Sequence, residues 1–334
     1  MDNICHTLVG AALAQTGLKR RTRFGTATLL IGANLPDVDI LSYAFGGGLT
    51  ALSFRRGWTH GVLAMVVLPL ALTGLVLLWH RAFGARDGGG GTPPLRADQV
   101  ALLAALATLT HPLLDFMNTY GMRWFMPFVN GWYYADGLFI VDPWVWAVLA
   151  TGVFLASTGK RAGQGSDALP EARGKPAMVA LAVVAAYAMV MVGGSAMARR
   201  LVARELRAQG SPVERVMASP APLNPFRRLI VIQDGEVYRF GAVNWLRRPV
   251  FSLDPFVAAV DFAPAAARLA AQTPEGRAFL GWARFPFFVV EPARSPSVVH
   301  IVDARYTVDP KADFGAVTIR LPAMTGPGEP TPSR

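Results

Sequence analysis

The chain has a single cysteine in 334 residues, so a framework of disulfide bonds is excluded. We expect that residue, Cys5, to be a small buried apolar side chain. Charged residues are scarce too, since they make up 16% of the sequence, against about 25% in typical soluble domains. The start of the chain also lacks the pattern of a secretory signal, because the basic residues 19–23 follow the first apolar segment.

The charges that are present are unbalanced, with a formal net charge of +10. Such an excess is common in proteins that bind nucleic acid. Here, however, the arginines form short clusters beside apolar runs, as membrane-flanking charges do. The sequence has neither a basic helix nor zinc-finger spacing, and we therefore predict no nucleic-acid partner.

Long apolar runs are what the sequence has in excess. Hydrophobic residues make up 52% of the chain, and a run of roughly 20 apolar residues is enough to cross a bilayer. Two earlier runs, 4–18 and 24–45, are too short or are interrupted by proline and aspartate, which predicts short or broken helices inside the bundle. Four runs have the required length: 58–80, 98–118, 137–158 and 176–197.

The composition changes after Ala198, where short alternating runs replace the long apolar ones. Asp-Gly separates two β-rich segments in residues 228–243, a strong hairpin pattern, and 297–309 and 314–322 are typical of further strands. We predict an α-helical integral membrane bundle of about five to six membrane helices in residues 1–198. A soluble sheet-containing domain, α+β or β, would occupy residues 199–325, and residues 326–334 would form a disordered tail.

Ionisable residues inside apolar segments are costly in a bilayer and functional by default. When the chain is followed back and forth across the membrane, five separate segments place theirs on one face. Any one alone could instead be a hydrogen-bonding residue that joins helices. All are histidine or aspartate, which bind Zn²⁺ and similar ions: Asp2, His6, Asp37, Asp39, His60, His111, Asp115 and Asp142.

Local spacing supports a shared metal site. His111 and Asp115 are four residues apart and share a helix face. Asp37 and Asp39 lie about 200° apart on a helix. Both can therefore approach one ion only if the chain is non-helical after Pro36, and otherwise one of them supports a ligand.

The distribution of basic residues predicts the orientation. Eleven lysines and arginines lie in the short loops of one side, against three, Arg55, Arg56 and Arg123, on the side of the polar cluster. The count is seven against three if the first short helix does not cross. Because cytoplasmic loops carry the excess of positive charge, the polar cluster and the C-terminal domain are expected to be extracytoplasmic.

The segments "DNICH", "LPDVD", "RRGWTH", "HPLLDFMNTYG" and "FIVDPW" follow one another in this order. As a set they resemble a bacterial family of LexA-regulated, membrane-bound, predicted metal-dependent hydrolases, YdjM-like, over residues 1–158. "PLNPFRR" at 222–228 is similar to the long-tailed members. The resemblance implies a multi-pass hydrolase of the bacterial inner membrane, with metal ligands among His6, Asp37, Asp39, His60, His111 and Asp115.

Our prediction for the site is one or two divalent ions, zinc first, with manganese or magnesium as alternatives. Asp39 and Asp142 are candidates for a general base or for support of a ligand. Arg56 could bind a phosphate or a developing oxyanion, or be a membrane-flanking charge. Asn118, beside Tyr120, could donate to a substrate oxygen, or only cap its helix. The expected metal ligands are His6, Asp37, His60, His111 and Asp115.

The function expected from these residues is metal-dependent hydrolysis of a lipid or lipid-linked substrate, phosphoesters included, because the site would lie at headgroup depth. Membrane lipid is then the expected partner. A metal or proton transporter is one alternative, which needs polar residues at several depths. A structural membrane protein whose metal only locks the bundle is another, and closed coordination would favour it.

Overall fold

The computed structural model describes residues 1–84, 93–158, 174–211, 213–291 and 297–322. The tail predicted at 326–334 lies outside them. The chain divides into two compact units. The first contains Met1–Leu41, Phe54–Met197 and Ser219–Arg227, and the second contains Ser42–Ser53, Ala198–Ala218 and the described residues from Arg228 onward.

Helices form the first unit. They are α1 (Asn3–Gln15), α2 (Gly25–Asn34), α4 (Ala64–Phe83), α5 (Ala97–Phe116), α6 (Pro143–Thr158) and the first part of α7 (Lys175–Ala208). Two 3-10 stretches, Leu18–Arg20 and Leu35–Leu41, flank α2. A further helix, α3 (Ser42–Phe54), lies mostly in the second unit.

Three of the described helices, α4, α5 and α7, are long and apolar enough to cross a membrane. The expected five to six are not confirmed. The first two helices have 13 and 10 residues and rise only about 20 and 15 Å, against a hydrocarbon core of about 30 Å. The apolar helix α6 has 16 residues and is also short by this measure.

The two short helices pack inside the bundle, as predicted from the length of the first apolar run and the interruptions of the second. Glycine permits the close approach, because a Cβ on Gly10 would lie 2.8 Å from the carbonyl oxygen of Leu29. A Cβ on Gly32 of α2 would lie 3.0 Å from the Cβ of Ala107 of α5. Small residues allow helices to approach closely in this way. Cys5 is fully buried in the α1 core, as expected.

Two sheets lie in the second unit except for Ser219–Arg227, which belongs to the first unit. They confirm the prediction of a sheet-containing C-terminal region. Strands β1 (Val213–Ala221), β2 (Asn224–Asp234), β3 (Val237–Asn244) and β4 (Phe251–Ala259) pair in the order β1-β2-β3-β4. The hairpin predicted at Asp-Gly joins β2 to β3, and Gly235 there has φ +62°. The second sheet is antiparallel and has the order β5-β6-β7. Its strands are β5 (Pro286–Val290), β6 (Val298–Asp303) and β7 (Ala316–Arg320), and helices α8 (Ala265–Gln272) and α9 (Pro274–Leu280) precede them in the chain.

Candidate metal centre

Helix α5 supplies two members of the site, His111 and Asp115, both fully buried. His111 Nδ1 lies 2.7 Å from the carbonyl oxygen of Ala33. A carbonyl oxygen only accepts hydrogen bonds, so Nδ1 must carry the proton. In the neutral imidazole, Nε2 therefore presents a lone pair, and second hydrogen bonds of this kind orient histidine ligands in metal sites.

The loop that connects α3 to α4 supplies His60, whose side chain is also fully buried. The hydroxyl of Thr59 donates to Asp39 Oδ2 at 3.1 Å and lies 2.9 Å from His60 Nδ1. Because that hydroxyl proton is committed to Asp39, the hydroxyl oxygen accepts from Nδ1. His60 Nε2 is then left with a free lone pair, as in His111.

The 3-10 stretch after α2 supplies Asp37. Its Oδ1 atom lies 3.5 Å from His111 Nε2 and 4.0 Å from His60 Nε2. The amide of Asn3 donates to its other oxygen, Oδ2, at 3.0 Å. The chain after Pro36 thus forms a 3-10 turn rather than an α-helix, and this turn brings Asp37 to both histidines.

The four side chains converge, with one ligand atom from each of Asp37, His60, His111 and Asp115 within 4.8 Å of one another. Asp115 Oδ2 lies 3.3 Å from His60 Nε2 and 3.4 Å from His111 Nε2. These three buried atoms have no hydrogen-bond partner among the described residues, a costly arrangement if nothing binds them. Tetrahedral ligands at about 2.0–2.1 Å from Zn²⁺ are about 3.3–3.4 Å apart, so the residues present fit a divalent ion.

His6, the fifth expected ligand, lies beside this group but outside it. Its ring stacks on that of His111, with centroids 3.6 Å apart and an interplanar angle of 14°. His6 Nε2 is 3.5 Å from Asp115 Oδ1, the oxygen that the main-chain nitrogen of Met1 also contacts. Neither ring nitrogen has a hydrogen-bond partner in the described part of the chain.

Arg56 is buried against the other side of the Asp115 carboxylate, with Nη2 3.1 Å from Oδ1. Its Nη1 donates to Asn118 Oδ1 at 3.1 Å, and its guanidinium lies 4.5 Å from the Tyr120 ring. Its main-chain nitrogen donates to Asp39 Oδ2 at 2.9 Å. The backbone of Arg56 has φ +51°, a conformation that is strained for a non-glycine residue and concentrates at functional sites.

The two remaining predicted residues stand at helix ends. Asn118 follows α5, and its Oδ1 accepts from the main-chain nitrogens of Tyr120 and Gly121 at 2.9 and 3.3 Å, while its buried Nδ2 has no partner in the described chain. Asp142 precedes α6, and its Oδ1 accepts from the main-chain nitrogens of Trp144 and Val145. The structure therefore connects Asn118 to the centre through Arg56 and places Asp142 as a helix cap.

Three supporting residues escaped the sequence analysis: Asn3, Thr59 and Arg123. Arg123 was counted as a loop charge, but it is buried, and its Nη2 donates to the carbonyl oxygen of Arg55 at 2.6 Å. A Cβ on Gly57 would lie 2.7 Å from the same Nη2. The glycine of "RRGWTH" is a signal for this close approach, because a Cβ at Gly57 would displace the guanidinium from its present position.

Comparison with known proteins places these residues in context. The family model described as "YdjM inner membrane protein" matches residues 1–199, the range that holds the whole centre. The inner membrane protein YbcI of Escherichia coli (strain K12) is 30% identical over 108 residues, which are 32% of this chain and 55% of that protein. The chain thus covers just over half the length of this curated relative. No solved structure matches the chain.

Proposed function

The chain belongs to the YdjM inner membrane protein family, and we propose that it is a membrane-bound metal-dependent hydrolase that cleaves a lipid or lipid-linked ester. One observation carries the proposal: the convergence of three buried, partnerless atoms, His60 Nε2, His111 Nε2 and Asp115 Oδ2. Burial of such atoms without partners is unfavourable, and a divalent ion would satisfy all three.

Two imidazoles and two carboxylates form a donor set that suits zinc, with manganese or magnesium as alternatives. Bound there, the ion supplies a Lewis acid that polarises an ester oxygen and acidifies a water molecule. Asp37 is the one member whose side chain is partly exposed, at 11%, while those of His60, His111 and Asp115 are 0% exposed. Substrate and water would therefore approach from the side of Asp37.

The surrounding residues would hold the ligands in place. Ala33 fixes the tautomer of His111, and Thr59, oriented by Asp39, fixes that of His60. Arg56 occupies Oδ1 of Asp115 and so leaves Oδ2 to face the histidines. Such partners of metal ligands orient them and tune their basicity. We assign Asp39 this orienting role because its carboxylate already accepts hydrogen bonds from Arg56 N and Thr59 Oγ1.

A second candidate function is a structural metal that locks the helices of the bundle together. The observation that favours it is the number of protein ligands, because four of them close a tetrahedral site and leave no position for substrate. A transport role instead needs polar groups at several depths of the bilayer, whereas the members of this centre contact one another.

Metal content is the first test. Elemental analysis of protein purified in detergent without chelator is expected to give one or two equivalents of a divalent metal, zinc first. The double variant His111→Ala, Asp115→Ala should lose it. His80→Ala, which removes a histidine of α4 outside the centre, is the matched control and should retain it. Metal content below about 0.2 equivalents, or unchanged content in the double variant, would contradict the proposal.

A second measurement separates hydrolysis from a structural lock. Protein reconstituted with Co²⁺ should change its visible spectrum when a phosphate analogue is added, because a catalytic ion keeps an exchangeable position. Wild-type protein should hydrolyse at least one member of a panel of phospholipids and lipid-linked phosphoesters, and Asp37→Asn should not. The structural role would be favoured if the Co²⁺ spectrum does not change when the analogue is added, the melting temperature depends on the metal, and no hydrolysis is detected.

A further inference from the structure

A groove of about 470 Å³ lies next to the metal centre, and Asp37 forms part of its wall. Helix α1, helix α2 and the 3-10 stretch after α2 supply the lining residues. Sites for small molecules typically have about 300–1,000 Å³. The groove is thus large enough for the headgroup and glycerol of a lipid with the first part of its acyl chains, but not for the entire molecule.

Polar side chains gather on one part of the lining. The amide of Asn3 donates to Asp37 Oδ2 at 3.0 Å. The amide of Asn34 donates to Thr7 Oγ1 at 3.1 Å, so α1 and α2 are joined there by side chains. These groups offer donors and acceptors without a positive charge, and no lysine or arginine is among the described residues that line the groove. A ligand would be recognised here by hydrogen bonds.

Apolar side chains form the rest of the lining and are unusually exposed. Ile31 is 48% exposed and Val38 is 41% exposed. Their neighbours Ile40 and Leu41 on the 3-10 stretch are 55% and 57% exposed. Exposed apolar patches mark ligand or membrane contacts, and in an inner membrane protein the available apolar partner is the acyl chain of a lipid.

We propose that this groove binds one membrane lipid, with its polar head at Asn3, Asn34 and Asp37 and its first acyl segment along Ile31 and Val38. The lipid would enter sideways from the bilayer and present its ester to the metal centre. Its role as substrate rests on the proposed hydrolase function. Asn3 is then a positioning residue, because it holds one oxygen of Asp37 and leaves the other for the centre.

Photo-crosslinking in nanodiscs tests the occupancy without any need for turnover. The probe is a phospholipid that carries a diazirine on its acyl chain near the glycerol. Trypsin separates the relevant segments, since cleavage after Arg23, Arg55, Arg56 and Arg81 gives peptides 24–55 and 57–81. If the groove binds the lipid, label should concentrate in peptide 24–55, which contains Ile31 and Val38. Peptide 57–81 contains most of the apolar helix α4 and should carry less label.

Two tryptophan substitutions sharpen the test. Ile31→Trp fills the groove and should lower the labelling of peptide 24–55 about tenfold, the change that accompanies loss of ~1.4 kcal/mol of binding. Val67→Trp on α4, at a residue 60% exposed and outside the lining, is the matched control and should leave it unchanged. Equal label in both peptides, or label that Ile31→Trp does not reduce, would overturn the proposal.

The result can be separated from the fate of the hydrolase proposal. Labelling of an Asp115→Asn variant reports occupancy when the metal centre is disabled, so concentrated label there supports the groove independently of turnover. Concentrated label in a wild-type protein that has neither metal nor hydrolysis supports the groove and refutes the enzyme. Lipid turnover in Ile31→Trp should fall about tenfold more than turnover of soluble bis(4-nitrophenyl) phosphate, which does not need the acyl part of the groove. Equal losses on both substrates would show that the substitution damages the centre rather than the groove.

Discussion

The substitution Asp39→Asn is expected to weaken metal binding without abolishing it. The Asp39 carboxylate is fully buried and lies 3.5 Å from His60 Nδ1. Its Oδ2 accepts from Arg56 N and Thr59 Oγ1, and its Oδ1 accepts from Arg55 Nε at 3.4 Å. All of these partners are donors. An asparagine side chain keeps one acceptor oxygen but replaces the other with an NH2 group, which is itself a donor. The NH2 group cannot accept from these partners, so the hydrogen bonds on one side of the carboxylate are lost.

The expected loss is 10–100-fold in metal affinity, the usual effect of changing a partner of a metal ligand, or about 1.4–2.7 kcal/mol. Competition against a chromophoric chelator in detergent measures it. Asp37→Asn should lower the metal affinity far more than Asp39→Asn, because it removes a ligand atom from the group. Asp142→Asn, a change of the same kind at the α6 cap, should have no effect. Wild-type affinity in Asp39→Asn would refute the orienting role, and complete loss of metal would make Asp39 a ligand.

Three further outcomes are expected, one from the charge distribution and two from the structure. Alkaline phosphatase fused after Arg207 should be active, and a fluorescent protein that folds only in the cytoplasm should be dark there, because the charge bias predicts an extracytoplasmic C-terminal domain. Gly61→Ala should lower the free energy of unfolding by roughly 1–3 kcal/mol in thermal unfolding, because its Cβ would overlap the carbonyl oxygen of Met126. The control Gly74→Ala on α4 places its Cβ in open space and should not lower the free energy of unfolding. Asn118→Ala should keep its metal in elemental analysis but lose roughly 10²-fold in kcat if its free Nδ2 serves a substrate oxygen; unchanged kcat would make Asn118 a cap only.

Much of the metal centre could be predicted because the spacing of its residues along the sequence indicates which side chains lie on the same face of a helix. His111 and Asp115 share a helix face by their four-residue separation, and the structure brings their ligand atoms within 3.4 Å. The sequence predicts that both aspartates approach one ion only if the chain is non-helical after Pro36, and that otherwise one of them supports a ligand. The chain there is a 3-10 helix, which brings Asp37 to the centre and directs Asp39 to the back of His60. Periodicity could not decide between these two roles, since both aspartates share one short turn.

Other assignments depended on tertiary contacts that no local pattern contains. The stacking of His6 on His111 joins α1 to α5 across more than a hundred residues. The burial of Arg56 depends on Asn118 and Asp115, which lie far along the chain. Asp142 was predicted as a site residue from its place at the end of an apolar segment. Its Oδ1 caps α6, and its Oδ2 accepts from the Tyr187 hydroxyl at 3.2 Å, a contact that no local pattern contains.

The fold was predictable where one strong local signal dominated. Asp-Gly between two β-rich runs located the β2–β3 hairpin. Strand β4 contains Pro255 and a run of largely exposed residues, so neither alternation nor composition marks it. The expected five to six membrane helices are not confirmed. Apolar composition persists in α1 and α2, but the lengths of these helices are set by residues such as Gly17 with φ +110° and by the turn at Pro36.

Whether the centre is catalytic or only structural depends on Asp37. If its Oδ1 binds the ion, four protein atoms complete a tetrahedral shell, as in structural zinc sites. Asp37 is nevertheless unlike the other three members, because its side chain is partly exposed and lies in the groove wall. Its Oδ1 is also 4.0 Å from His60 Nε2, farther than the 3.3 Å from Asp115 Oδ2 to the same atom. The fully buried members are two histidines and one aspartate, which match the three protein ligands of catalytic zinc sites. A fourth ligand at the edge of a lipid-sized groove is the one that a substrate oxygen could displace, and Asn3, bonded to its second oxygen, could hold the carboxylate as it moves away.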